Sequence, residues 1–259
     1  YANNDGIGYG EITITDLKSA SNYTDDFEIK DGILYIKSDS KLTESEKKLA
    51  AEQGVTKAPI TFDRVDKTKM LAIESEVTAN GETFYVIGGE TVGTAISDST
   101  QNVLLLAKYN LTLKGSQQDT SGEINKCVFS STNYWSSVSG IAYPDANGKY
   151  PDLNDVETYP IGSATSIVTK AIAYGESLGV KGRLMTYEEA KALTTNYSEI
   201  LYGNKDGNKL NYWLGSARSE ELVLLVIGTS TRLDSLDFFR YGVGYGVRPV
   251  ITVPASSIK

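Results

Sequence analysis

Five apolar residues stand in a row at Val103-Leu104-Leu105-Leu106-Ala107, and a run without polar alternation belongs to a strand covered on both faces. The chain around it must supply apolar layers on two sides of one sheet. Further strands are expected over 70–73 and at Thr83-Phe84-Tyr85-Val86-Ile87, the latter following an Asn80-Gly81 turn. A helix is predicted over 163–178, where Ile167, Ala171, Tyr174 and Leu178 recur at helical spacing before Gly179. A second begins at Thr186, whose pairing with Glu189 is a capping box, and buries Tyr187, Ala190 and Leu193. Beyond Trp213 the pattern is strands joined by turns. The class is α+β.

Residues 1–70 read as a small α+β appendage and 71–259 as the principal domain. In the appendage, Ile12-Thr13-Ile14-Thr15-Asp16-Leu17 leads toward a short helix. Phe27-Glu28-Ile29-Lys30 and Ile33-Leu34-Tyr35-Ile36 alternate across Asp31-Gly32, a hairpin signal. Thr43 and Glu46 form another capping box, opening a helix that ends at Gly54 with Leu42, Leu49 and Ala50 on one side.

Composition removes several functions. The net charge of −8, from 25 basic and 33 acidic residues, leaves no footprint for nucleic acid, whose phosphates require clustered Lys and Arg. There is no histidine and a single cysteine, so no Ser-His-Asp or Cys-His catalysis, internal disulfide or multi-thiolate metal site can form on this chain. Cys127, in Lys126-Cys127-Val128-Phe129, reads as a buried structural thiol rather than a nucleophile. No stretch approaches the ~20 continuous apolar residues of a membrane helix, and an export signal or anchor is expected to have been removed or to lie outside this sequence.

The segment 113–161 is rich in Gly, Asn, Asp, Ser and Pro. Loops of that length carry function or are pinned by packing or ions. Asp145, Asp152, Asp155 and Glu157 offer hard oxygen ligands for calcium, but their spacing matches no loop motif, and a solvated loop is the preferred reading. No cofactor and no metal ligand is assigned.

Two stiff segments bracket an irregular insert near the C-terminus: Asn211-Tyr212-Trp213-Leu214-Gly215-Ser216-Ala217 and Tyr245-Gly246-Val247-Arg248-Pro249-Val250-Ile251-Thr252-Val253. With 17 tyrosines against 6 phenylalanines, and 24 glycines, the chain has a bias found in recognition surfaces, though strand propensity alone also favours Tyr.

Those brackets, preceded by Arg183-Leu184-Met185-Thr186-Tyr187-Glu188-Glu189-Ala190, resemble the C-type-lectin fold of the formylglycine-generating-enzyme subtype, in the branch that includes variable proteins of diversity-generating retroelements. The resemblance spans 77–253 and includes Asn80-Gly81-Glu82-Thr83-Phe84-Tyr85-Val86-Ile87 and Phe129-Ser130-Ser131-Thr132-Asn133-Tyr134-Trp135. It implies the fold without the family's reactions: the formylglycine chemistry needs two thiols near the C-terminus, and the iron-dependent relatives need histidines.

In the variable-protein branch, the resemblance implies that ligand-contacting positions lie between the two brackets, here 218–245. Leu224, Val226, Phe238 and Val247 are expected to face inward. The expected contact residues are Arg218, Ser219, Leu222, Leu225, Leu233, Ser235, Asp237, Arg240, Tyr241 and Val243, since exposed apolar groups beside Arg and Tyr are the makeup of an interface. The competing reading makes 222–227 a buried central strand. Trp213 and Arg248 are expected to be structural supports, the arginine ordering carbonyls or a carboxylate within the fold.

The N-terminal stretch from Tyr1-Ala2-Asn3 through Asp31-Gly32-Ile33-Leu34-Tyr35-Ile36 is similar to the region following the long helix of type IV pilins and pseudopilins. The expected function is a non-enzymatic adhesion or binding protein, extracellular, at the cell surface or pilus-associated. The chain lacks the Glu-Pro-Asn or Gln-Pro-Asp tripeptide of sugar-binding lectins, so a protein ligand is expected ahead of a glycan. A structural filament subunit with a decorating lectin-like domain is the alternative. A carboxylate-based hydrolase is more remote, because nothing in the sequence places two acids in a defined relation.

Overall fold

The computed structural model describes residues 26–30, 33–37, 40–43, 45–47, 50, 56–57, 60–112, 114–117, 147–158, 167–219, 222–237 and 245–259. Two compact units divide the chain, Tyr1–Ile60 and Thr61–Lys259. The division places residues 61–70 with the second unit rather than the first.

In the first unit, β1 (Phe27–Lys30) and β2 (Ile33–Ile36) pair antiparallel with Lys30 opposite Ile33, which leaves the two-residue connection that Asp31-Gly32 suits. The short β3 (Thr56–Lys57) runs parallel to β2. The Thr43 amide donates to the Glu46 carboxylate at 2.7 Å and the Glu46 amide donates back to the Thr43 hydroxyl at 3.3 Å, a reciprocal cap on the helical residues 45–47. The expected element at 12–17 lies outside the described residues.

The second unit is built on a six-stranded sheet in the order β4-β5-β6-β7-β12-β8, every pairing antiparallel. Its strands are β4 (Asp63–Arg64), β5 (Glu76–Ala79), β6 (Glu82–Gly88), β7 (Asn102–Ala107), β8 (Lys181–Leu184) and β12 (Pro249–Pro254). Asn80 and Gly81 both take positive φ, 51° and 77°, in the turn joining β5 to β6. The strand expected over 70–73 is absent: Met70 is 86% exposed, and Ala72 and Ser75 close a turn through reciprocal bonds. Apolar residues there find no partner strand. The unit's two ends meet, with Phe62 bonded to Ser257 and Lys259.

β7 is interior to this sheet, and its apolar run is covered on both faces. On one side lies α1 (Ile167–Ser177), burying Ile167, Val168, Ala171 and Tyr174, with Tyr174 against Phe84. On the other, Tyr85, Ile87, Leu104, Leu106 and Val250 form one cluster with side chains of α2 (Tyr187–Leu193), α3 (Ser198–Tyr202) and a second sheet. Helix α1 reaches β8 so closely that a Cβ on Gly175 would lie 2.2 Å from the Gly182 nitrogen. Helix α2 carries the expected capping box, Thr186 with Glu189.

That second sheet has three strands in the order β11-β10-β9, all antiparallel: β9 (Asn211–Ala217), β10 (Leu222–Ile227) and β11 (Arg232–Asp237). Among the described residues no helix is long and apolar enough to cross a membrane.

Candidate functional site

The two brackets are bonded to each other. The Trp213 amide donates to the Gly246 carbonyl at 3.1 Å and the Gly246 amide donates to the Asn211 carbonyl at 2.9 Å. The rings of Trp213 and Tyr245 lie 5.5 Å apart, and Trp213 is fully buried. The intervening chain thus leaves β9 at Arg218 and returns beside the same strand at Tyr245.

Arg248 anchors the second bracket from inside. Fully buried, it donates from Nε to the Ala107 carbonyl at 2.7 Å, from Nη1 to Ile200 and Leu201 at 2.8 and 3.3 Å, and from Nη2 to Lys108 at 3.3 Å. These carbonyls lie at the C-terminal end of β7 and in the last turn of α3, where regular pairing of backbone acceptors stops. Its guanidinium also lies 5.2 Å from the Tyr212 ring centroid. Burial lowers the arginine below its ordinary pKa and pushes the Tyr212 phenol up to about 12. The phenol donates to the Leu201 carbonyl at 2.8 Å.

The first bracket is tied to the loop before it. Leu153 donates to the Gly215 carbonyl at 2.7 Å, Gly215 to the Met185 carbonyl at 2.7 Å, and Ala217 to the Pro151 carbonyl at 3.2 Å. Asn154 spans the gap to β8: its Oδ1 accepts from the Leu184 amide at 2.8 Å and its Nδ2 donates to the Leu184 carbonyl at 3.1 Å. Packing therefore pins the described part of this loop. The Asp152 carboxylate accepts from Asn154 and the Asp155 carboxylate from Thr158, while Asp145 lies outside the described residues. Sequence reading missed Asn154, whose role exists only once Leu184 and Gly215 are neighbours.

Within the window, the structure corrects the expected orientation. Leu225 is 1% exposed, in the middle strand of its sheet and opposite Trp213 in β9, so it is a core residue and not an outward contact. The register pairs Leu222 with Asp237, Leu224 with Ser235 and Val226 with Leu233. Because strand side chains alternate and directly paired positions share a face, Leu222, Leu233 and Ser235 lie on the same face as Leu224 and Val226, not opposite them, while the side chain of Asp237 lies outside the described residues. Leu233 packs, partly buried, against the main cluster. Leu222 and Ser235 are half-buried.

The rim of the window is polar. Arg218 is exposed and donates to the Ser235 hydroxyl at 2.9 Å. Its amide and that of Ser219 both reach the Leu222 carbonyl, while the Ser219 hydroxyl accepts from the Leu222 amide. Arg232 pairs with Asp234 at 2.8 Å on the opposite face of the hairpin. Arg240, Tyr241, Val243 and Phe238 lie outside the described residues, as does Cys127. The structure thus brings Arg218, Ser219, Leu222 and Ser235 together and separates Leu225 from them.

Away from the window, a cavity of 460 Å³ is lined in part by Glu82, Lys114, Lys170 and Tyr174. The Tyr174 phenol donates to Glu82 and accepts from Gln117 Nε2 at 3.0 Å. Burial, then the Glu82 charge, push this phenol upward, so it holds its proton and acts as a structural donor. No family model, curated protein or solved structure matches the chain.

Proposed function

We propose that the chain is a non-enzymatic binding or adhesion module that displays residues 218–245 on a C-type-lectin-like scaffold of the formylglycine-generating-enzyme subtype. Support comes first from the bonding of the two brackets at Trp213 and Gly246, which fixes both ends of the window on one rigid base. A loop held so closely at both ends loses little further entropy on meeting a ligand. Of the segments that carry the resemblance, 129–135 lies outside the described residues, and the others fall in β6, β8, α2, β9 and β12, each of which contributes buried side chains.

The contact surface is assigned to the polar rim of Arg218, Ser219 and Ser235 together with Arg240, Tyr241 and Val243. An arginine rim resting on buried leucines, in a window whose sequence also carries Arg240 and Tyr241, suits a protein partner more than a glycan. Display outside the cell, at the surface or on a pilus, follows from the same reading. Sequencing sister isolates tests it. Substitutions concentrated in 218–245, with both brackets constant, are expected; changes spread evenly along the chain would sink the display reading.

A further inference from the structure

Lys108, immediately after β7, is a lysine that the fold has nearly removed from water, with its side chain 11% exposed. Its Nζ faces two carboxylates, Asp206 Oδ2 at 3.1 Å and Glu76 Oε1 at 3.4 Å. The rings of Tyr109 and Tyr85 stand 5.8 and 5.9 Å from the same nitrogen. A lone salt bridge needs one carboxylate. Here the amine, largely shielded from water, meets an oxygen of each of two acids, so one can take its proton while the other offers an acyl carbon.

The turn that carries Asp206 has hydrogen bonds of its own. Asn204 Oδ1 accepts from the Asp206 amide at 3.1 Å and from the backbone and side chain of Asn208 at 3.2 Å each. The neighbouring Lys205 amide donates to the Tyr85 hydroxyl at 2.9 Å, tying the turn to β6. The Tyr109 phenol donates to Asp206 Oδ2 at 2.5 Å, the same oxygen that faces Lys108. Lys108 is fixed in turn by its amide on the Thr83 carbonyl at 3.0 Å and by its carbonyl under Arg248. Reacting groups locked at ~3–3.5 Å react with effective concentrations far above any in solution.

We propose that Lys108 and Asp206 condense to an intramolecular amide, with Glu76 as the proton acceptor and Tyr109 as the hydrogen-bond donor to the departing oxygen. Glu76 takes one proton from the ammonium, and the freed amine attacks Asp206 Cγ to form the C–N bond. Negative charge gathered on Oδ2 is met by the Tyr109 hydroxyl. The second amine proton and the one held by Glu76 pass to Oδ2, the C–O bond breaks, and water leaves. An ammonium and a carboxylate become one neutral amide and one water, with no oxidant, metal or external cofactor. Asp206, 42% exposed, gives the water a way out. The link would staple the end of β7 to the turn following α3, two places far apart in sequence.

Intact mass spectrometry of the purified, unfolded full chain tests this directly. The expected mass is that of the sequence less one water, with a tryptic peptide that joins the Lys108 and Asp206 segments and shows no cleavage after Lys108. Lys108→Arg keeps the charge pairing but cannot close the amide, and Asp206→Ala removes the acyl carbon; both are expected to restore the full sequence mass. Glu76→Gln is expected to slow closure at least tenfold. The full sequence mass in wild-type protein with a native circular-dichroism spectrum would overturn the proposal. So would a one-water deficit that persists in Lys108→Arg, because that places the loss in a succinimide at Asp206-Gly207.

Discussion

Trp213 and Gly246, more than thirty positions apart in the chain, are joined by a backbone hydrogen bond of 3.1 Å. The bond belongs to a short parallel contact in which Tyr212 is bridged to Gly246. It makes a closed frame of two segments that the sequence alone shows only as separate aromatic and glycine-bearing runs. Everything proposed for the window depends on the stiffness of this frame.

Arg248 is the first test of that stiffness. Its four carbonyl acceptors are buried, and Arg248→Met fills the volume but removes the arginine donors from Ala107, Ile200 and Lys108, while Leu201 keeps the Tyr212 hydroxyl. The expected loss is ~3 kcal/mol or more, since each orphaned buried acceptor costs ~1–3 kcal/mol before relaxation. Urea unfolding monitored by tryptophan fluorescence measures it.

The contact between α1 and β8 admits no side chain. Gly175→Ala or Gly182→Ala is expected to lower stability by ~3–5 kcal/mol, because the added carbon meets backbone that cannot rotate away. Gly81→Ala, at φ 77° with nothing within 4 Å, carries only the positive-φ penalty of about 1 kcal/mol. Calorimetric midpoints of the three variants should separate into these two classes.

Asn154 works as a stretch of strand made from a side chain. Asn154→Asp is expected to cost ~2–4 kcal/mol, because a carboxylate placed against the Leu184 carbonyl and Asp152 loses a donor and gains repulsion. Guanidinium unfolding checks the magnitude. Near-ultraviolet dichroism should report loosened packing around Trp213.

Much of the scaffold was legible from local chemistry. The Asn80-Gly81 turn, the Thr186 to Glu189 cap and the covered strand at 103–107 each announce themselves within a few residues. What was not legible depends on partners distant in sequence. Met70 looks like strand material, but no strand lies beside it. Leu225 was read by alternation, which fails for a central strand covered on both faces. Lys108, Glu76 and Asp206 carry no spacing signal, because three separate elements bring them together. A glycine inside a helix at Gly175, matched by another in the next strand at Gly182, was a readable hint of close packing.

Asp66 provides a titration marker at the exposed 63–73 turn. The Thr68 hydroxyl, then Lys69, hold its carboxyl down to about 2 from an ordinary 3.8. A depressed carboxylate contributes stability that is complete above its unfolded pKa and is lost as pH falls through the folded one, here between about 4 and 2. Carbon-detected NMR of the side chain should show the midpoint near 2, moving toward 3.8 in Thr68→Ala.

The central claim is that the scaffold carries stability while the window carries contact. The most direct measurement is adhesion by the purified chain, wild type against an Arg218→Ala, Arg240→Ala, Tyr241→Ala triple variant, to cells or protein targets that the wild type binds. The account predicts at least a hundredfold loss of binding with an unfolding midpoint within ~3 °C of wild type, because it assigns these three residues to contact and not to the core. Undiminished binding by a folded triple variant would contradict it.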